Sequence, residues 1–198
     1  MHIRSFLCLL FVSAVAVSAA FSQSMTVENP DPGAEVSEEK PAYLFFKNAV
    51  ISKKGKFSYD VDVTLWGEIP SNMADKIYYY LGLDIDNDKS TGDVSTVTPT
   101  FGKDIAVWIE KPKGTNKFDA HSGTMHYRNV KESISVTGVK VSGDTISFKM
   151  RSQLFGLSDT FKFFFSATRI QLDGDRVLSD VQVDTLPRKG VATFHGEK

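Results

Sequence analysis

Residues 84–92 read Asp-Ile-Asp-Asn-Asp-Lys-Ser-Thr-Gly. Three carboxylates at alternate positions, then two hydroxyls and a glycine, crowd hard oxygen donors into one short loop. Anions held this close repel one another unless a cation sits between them. Ca²⁺ suits such a donor set, because it takes roughly six to eight oxygen ligands in loose geometry. Counted from Asp84, Asp86 and Asp88 hold the third and fifth places, as in an EF-hand. The match then fails. Lys89 stands in the sixth place, where an EF-hand needs glycine, and Ser95 in the twelfth, where it needs a bidentate glutamate. The spacing is that of calcium loops in general, and the EF-hand is excluded.

Further ligands must come from Asp93, from the Ser90 or Thr91 hydroxyls, from a backbone carbonyl, or from Asp104. Asp104 opens a strand after Phe101-Gly102-Lys103. If that strand pairs antiparallel with Ile77 to Ile85, its start lies beside the end of the first. Asp104 would then close the site across the ladder, or fix the loop by hydrogen bonds without touching metal. The competing reading is a solvated turn, since Asp and Asn favour turns. Three aspartates in five residues weigh toward a bound cation, structural rather than catalytic.

Catalytic chemistry finds little to work with. Carboxylates engaged with Ca²⁺ are poor acids for glycoside hydrolysis. No G-x-S-x-G elbow is present. Beyond the N-terminal segment the histidines are His121, His126 and His195, too scattered for a hydrolytic zinc centre. No glycine-rich phosphate loop occurs.

The elements that must position the loop read as strands. Phe57, Tyr59, Val61, Val63 and Leu65 alternate with Ser58, Asp60, Asp62 and Thr64, the pattern of a half-buried antiparallel strand. Residues 105–109, 145–150 and 160–167 repeat the theme. Further strands are expected over 43–51, 77–85, 118–128, 133–141, 177–183 and 191–195. Turn chemistry separates them at Lys54-Gly55, Lys113-Gly114, Ser142-Gly143-Asp144 and Asp173-Gly174-Asp175. Single helical turns are expected at Ser152 to Leu157 and Ser71 to Asp75. The pattern predicts an all-β antiparallel sandwich, jelly-roll or Ig-like, of about nine or ten strands.

The loop and the strand after it resemble the DOMON-like and family-9 carbohydrate-binding-module-like β-sandwiches of exported proteins. Asp84, Asp86, Asp88, Ser90, Thr91 and Gly92 carry the resemblance, with Gly102 and Asp104 opening the next strand. In strand order it extends over about residues 43 to 195, and the segment Ser179 to Pro187 is loosely similar to the way such domains end. The resemblance implies a sandwich, a structural Ca²⁺ near the loop, and binding of sugars or, in some relatives, haem. Haem-binding relatives use a methionine and a histidine. Met73, Met125, His121, His126 and His195 are available, but no pair falls at matching positions, so haem stays a minor alternative.

Four aromatics fall on the polar sides of their strands. Trp66 is in phase with Asp60, Asp62 and Thr64. Trp108 is in phase with Asp104 and Glu110. Tyr78 and Tyr80 oppose Tyr79, Leu81 and Leu83. Exposed aromatics stack against sugar rings, and aromatic clusters at a surface mark binding sites. The bland alternatives are cover by a loop or the other sheet, or a bulge that reverses the side chains.

The ends and the charge bound the setting. His2 and Arg4, the apolar run Phe6 to Val17, and the small residues Ser18, Ala19, Ala20 and Ser22 form the three-part layout of a secretory signal peptide. Cleavage after Ala20 or Ser22 satisfies the small-residue rule, and residues 1–22 are taken as the signal. The apolar run is too short for the roughly 20 residues of a membrane span. Cys8 leaves with the signal, so the remaining chain has no thiol and no disulfide. It carries 22 basic and 24 acidic residues, a net charge of −2, with no drive toward nucleic acid. Residues 23–40, with Pro30, Pro32, Gly33 and three glutamates, read as a flexible leader, and 41–198 as one domain. The expectation is a secreted or periplasmic, non-catalytic binding module, stabilised by Ca²⁺ and favouring carbohydrate. The alternatives are a structural or interaction module of an envelope or secreted assembly, with a cell-envelope component as partner, and a secreted hydrolase whose site is not evident.

Overall fold

The computed structural model describes residues 23–71, 75–94, 101–112, 115, 117–124, 134–173 and 176–196, with backbone alone at 94, 123, 124, 172 and 173. Residues 1–22, read above as a signal, lie outside the described residues, as do Met73, Met125 and His126. Thirteen strands occur among the described residues: Ser24–Glu28 (β1), Phe46–Lys53 (β2), Ser58–Leu65 (β3), Lys76–Asp84 (β4), Asp93–Val94 (β5), Gly102–Lys103 (β6), Ile105–Lys111 (β7), Asp119–Thr124 (β8), Ser135–Ser142 (β9), Thr145–Arg151 (β10), Thr160–Asp173 (β11), Arg176–Leu186 (β12) and Ala192–His195 (β13). The only helical pieces there are single 3₁₀ turns, one of them at the expected Gln153–Gly156. No described helix is long and apolar enough to cross a membrane.

The strands form two antiparallel sheets. One runs β1-β2-β3-β10-β9 and the other β12-β11-β4-β7-β8, with β13 also on β11. A two-stranded ribbon, β5-β6, stands apart from both. The all-β sandwich expected from the alternation is the observed architecture. Tyr59, Val61, Val63 and Leu65 of β3 are buried and meet Ile77, Tyr79, Leu81 and Leu83 of β4 in one core. Phe161, Phe163 and Phe165 enter it from β11. Each large aromatic removed from water contributes roughly 2–3 kcal/mol, so these alternate positions fix which face of each strand points inward.

β4 and β7 depart from clean alternation in an informative way. Tyr78 and Tyr80 are half-buried on the outer face, but Gly82 and Asp84, in the same phase, are fully buried. On β7, Ala106 is buried while Trp108 and Glu110 on the same side are half-exposed. The loop after β4 and the β5-β6 ribbon lie over this end of the outer face. Phe101 caps it, with its ring 5.2 Å from that of Phe164.

The flexible leader is corrected. Ser24–Glu28 pairs with β2 in register from Ser24↔Ser52 to Glu28↔Asn48 and forms the edge of the first sheet. Met25 and Val27 supply two apolar side chains to the core, which the acid- and proline-rich stretch behind them masks in the composition. Asn29 is the pin. Its amide donates to the buried Asp184 (3.3 Å) and to the Thr185 carbonyl (2.7 Å), and it accepts from the Arg188 backbone N–H (3.1 Å). Asp184 also accepts from the Phe46 N–H at 2.9 Å and pairs with Arg188 at 3.3 Å. Burial raises the Asp184 pKa, while these donors and Arg188 hold it down.

Removing a donor from a buried carboxylate leaves a desolvated, under-bonded charge, which costs about 1–3 kcal/mol. Asn29→Ala is therefore expected to lower unfolding stability by about 2 kcal/mol in urea denaturation. The neighbouring exposed-edge change Glu28→Ala is expected to stay within about 0.5 kcal/mol of the parent. Equal, small effects of both would contradict the pin.

Candidate metal site and adjoining groove

β4 ends at Asp84, and the chain turns through Asp86, Asn87 and Asp88. Asn87 takes φ 59°, a left-handed conformation that asparagine tolerates better than most residues. Its amide donates to the Thr160 carbonyl at 2.9 Å and ties the turn to β11. The loop then makes its own side-chain turns. The Asp88 N–H donates to Asp86 (2.9 Å), the Ser90 N–H to Asp88 (2.9 Å), and the Ser90 hydroxyl to Asp88 (2.6 Å). The Thr91 hydroxyl bonds Asp86 at 3.0 Å. At Gly92, φ is +73° and a Cβ would overlap the Lys103 carbonyl, so only glycine lets the loop close onto β6.

Asp104 arrives where the antiparallel pairing predicted. Leu83 lies opposite Ile105, and the Asp104 N–H donates to the Leu83 carbonyl at 2.9 Å. The result is a group of three carboxylates, Asp84, Asp86 and Asp104, each with an oxygen within 4.8 Å of the others. Asp84 and Asp104 are completely buried and Asp86 is partly so. Asp104 fixes the loop by a hydrogen bond and also joins the carboxylate group. One oxygen accepts the Ile85 N–H at 2.8 Å, and the other is buried with no hydrogen-bond partner. Both Asp84 oxygens are also without a hydrogen-bond partner among the described residues. The Asn87 and Gly102 backbone N–H groups come near enough to stabilise its charge, but neither reaches hydrogen-bond geometry.

The electrostatics follow. Two like charges about 5 Å apart repel by roughly 3 kcal/mol at an effective dielectric near 20. Among the described residues, Lys162 lies beside the group, 3.7 Å from Asp84, too far for a hydrogen bond. Burial pushes the Asp104 carboxyl up to about 6, helped by the Asp86 and Asp84 charges and opposed by the Ile85 N–H. Burial likewise raises Asp84, with Lys162 pulling the other way. Three convergent oxygen donors, two of them buried and under-bonded, are a donor set for a hard cation.

Not every expected ligand joins the group. Asp88 and Ser90 are exposed and turn toward each other, and neither is part of the three-carboxylate cluster. Asp93 is paired with Lys103 at 3.0 Å. Local Asx geometry and a nearby lysine take those groups, two forces that residue spacing does not reveal.

The aromatic expectation divides in the same way. Tyr78, Tyr80 and Trp108 converge on the outer face of the second sheet and line a groove of about 500 Å³. The Tyr80 and Trp108 rings meet edge-on at 5.8 Å. Phe164, Ser166, Thr168 and Gln182 line it from β11 and β12, and Lys103 overhangs it with its ammonium 5.5 Å from the Tyr80 ring centre. Trp66 is elsewhere: it follows β3 on the other sheet, with Lys47 5.2 Å over its ring. The polar phase was right there too, but that phase belongs to a different sheet. Phe164 and Lys103 were missed. Phe164 was legible as the out-of-phase member of Phe163-Phe164-Phe165, whereas nothing in the sequence placed Lys103 over Tyr80. The haem candidates His121 and His195 sit on β8 and β13, on opposite sides of β4 in the sheet.

Comparison with known proteins finds no matching family, no matching curated sequence and no matching solved structure. The reading of this chain therefore rests on its own residues.

The Asp104 shift has a testable sign. Its folded pKa of about 6 exceeds the ordinary 3.8, so the metal-free native state holds a proton that the unfolded chain has released between those values. Without divalent ions, stability is expected to fall as pH rises from about 4 through about 6. Saturating Ca²⁺ should abolish that fall. Thermal unfolding across this range in EGTA and in Ca²⁺ checks it; parallel curves would contradict it.

Proposed function

We propose that this chain is an exported, non-catalytic binding module that captures carbohydrate in the outer-face groove and is stabilised by Ca²⁺ at Asp84, Asp86 and Asp104. The observation that carries the reading is the convergence of Tyr78, Tyr80 and Trp108 on one open groove beside the hydrogen-bonding side chains of Ser166, Thr168 and Gln182. Aromatic faces stack on the apolar faces of sugar rings, and hydroxyl and amide groups bind the ring hydroxyls. Binding pockets combine an apolar lining with a few convergent polar groups, and this one does so on rigid strands.

Ca²⁺ is the proposed ion because the donors are all hard oxygens and the site is built on an irregular loop. Asp84, Asp86 and Asp104 would hold it, and the charge it supplies would offset the buried carboxylates. The resemblance of the loop to DOMON-like and family-9 carbohydrate-binding modules agrees with this reading, as does the signal-like N-terminal segment, which points to secretion or the periplasm.

A second reading, an interaction module for a cell-envelope component, has one observation in its favour. Val177, Leu178 and Val181 are exposed on β12, at the edge of the second sheet. Such an edge can take a further strand from a partner.

A glycan array followed by calorimetry tests the first reading. Trp108→Ala is expected to weaken the best glycan at least about tenfold, or roughly 1.4 kcal/mol. Trp66→Ala, outside the groove, is expected to leave affinity unchanged. No glycan response, together with a stable protein partner lost on Leu178→Asp, would favour the second reading.

A further inference from the structure

Metal site and groove lie on one face of one strand. Tyr78, Tyr80, Gly82 and Asp84 follow at intervals of two along β4, so the floor of the groove leads straight to the carboxylates. From Tyr80 to Asp84 the distance along the strand is roughly 13 Å. Gly82 fills the interval without a side chain. A Cβ there would press into the Phe164 ring at 2.6 Å, so this ring lies over the glycine and lines the groove. Resting on the metal reading above, we propose that divalent-cation occupancy of the three-carboxylate site sets the shape of the groove through Lys103, so that ligand capture depends on the metal.

The connection is covalent and short. Asp104 belongs to the carboxylate group and Lys103, its neighbour, overhangs Tyr80. Lys103 is held by the same loop that carries Asp86. Its ammonium pairs with Asp93 at 3.0 Å, and its carbonyl packs against Gly92. Phe101, two residues earlier, seats its ring on Phe164. Loop and ribbon thus press on the groove at two points, Tyr80 through Lys103 and Phe164 through Phe101.

A cation among the three carboxylates draws the Asp86 loop and Asp104 toward Asp84. Without it their mutual repulsion acts in the opposite direction, on the segment from which Lys103 and Phe101 hang. A ligand that needs Lys103 and Phe164 in place then binds the metal-loaded state better. By linkage the cation binds better in the presence of that ligand.

The test needs only the metal as probe. The chain has two tryptophans, so Trp66→Phe leaves Trp108 as the sole reporter in the groove. Calcium binding is measured by calorimetry, and acrylamide quenching of Trp108 is followed over the same titration. Bound calcium is expected to lower the quenching constant at least about twofold, with the calorimetric midpoint. Adding Lys103→Gln is expected to keep the calcium heat and lose the quenching response. Calcium heat with unchanged quenching overturns the coupling and leaves the metal reading intact. No calcium heat overturns both.

Discussion

Two aspartates, Asp84 and Asp104, are buried where two antiparallel strands end and begin, and three of their four oxygens lack a hydrogen-bond partner among the described residues. Everything at this end of the molecule depends on how that negative charge is offset. Buried carboxylates are tolerated when donors or cations surround them, and costly otherwise. For Asp84 and Asp104 the compensation among the described residues is the Ile85 N–H and, at 3.7 Å, Lys162. The proposed Ca²⁺ would supply the remaining compensation. The loop and the β5-β6 ribbon lie over this end of the second sheet, and the Phe164 ring over Gly82 makes burial on β4 continuous there.

The rest of the architecture divides the labour between the faces of the second sheet. The inner face, with Tyr79, Leu81, Phe163 and Phe165, builds the core that orders both sheets. The outer face divides along the strands into a covered end, holding the carboxylates and the Phe101–Phe164 pair, and an open end, holding Tyr78, Tyr80 and Trp108. A site on strands rather than loops is rigid in its floor. The ribbon carrying Lys103 forms one of its walls. The opposite sheet is closed down by the Asn29–Asp184 pin, which anchors the edge strand β1 without any metal.

Legibility in the sequence followed the range of the interactions. Period-two alternation is local, and ten strands were readable from it, including the inward phase of β3 and β4. The pairing of β4 with β7 placed Asp104 beside Asp84 because antiparallel neighbours bring the end of one strand to the start of the other. Asp88, Ser90 and Asp93 lie outside the three-carboxylate group because competition for their side chains is decided by loop geometry and by Lys103. β1 was hidden because its two inward apolar residues are outnumbered by a polar, proline-rich sequence. The partner of the following Asn29, Asp184, is far away in the chain. Trp66 shows the limit of phase alone: which sheet a strand joins cannot be read from alternation.

The most direct measurement is calorimetric titration of Ca²⁺ into the EGTA-stripped chain. The account predicts one ion per chain with affinity of about micromolar or better, which at 1 mM free ion would add about 4 kcal/mol to unfolding stability. A folded chain that takes up no calcium, and whose unfolding ignores added calcium, would contradict it.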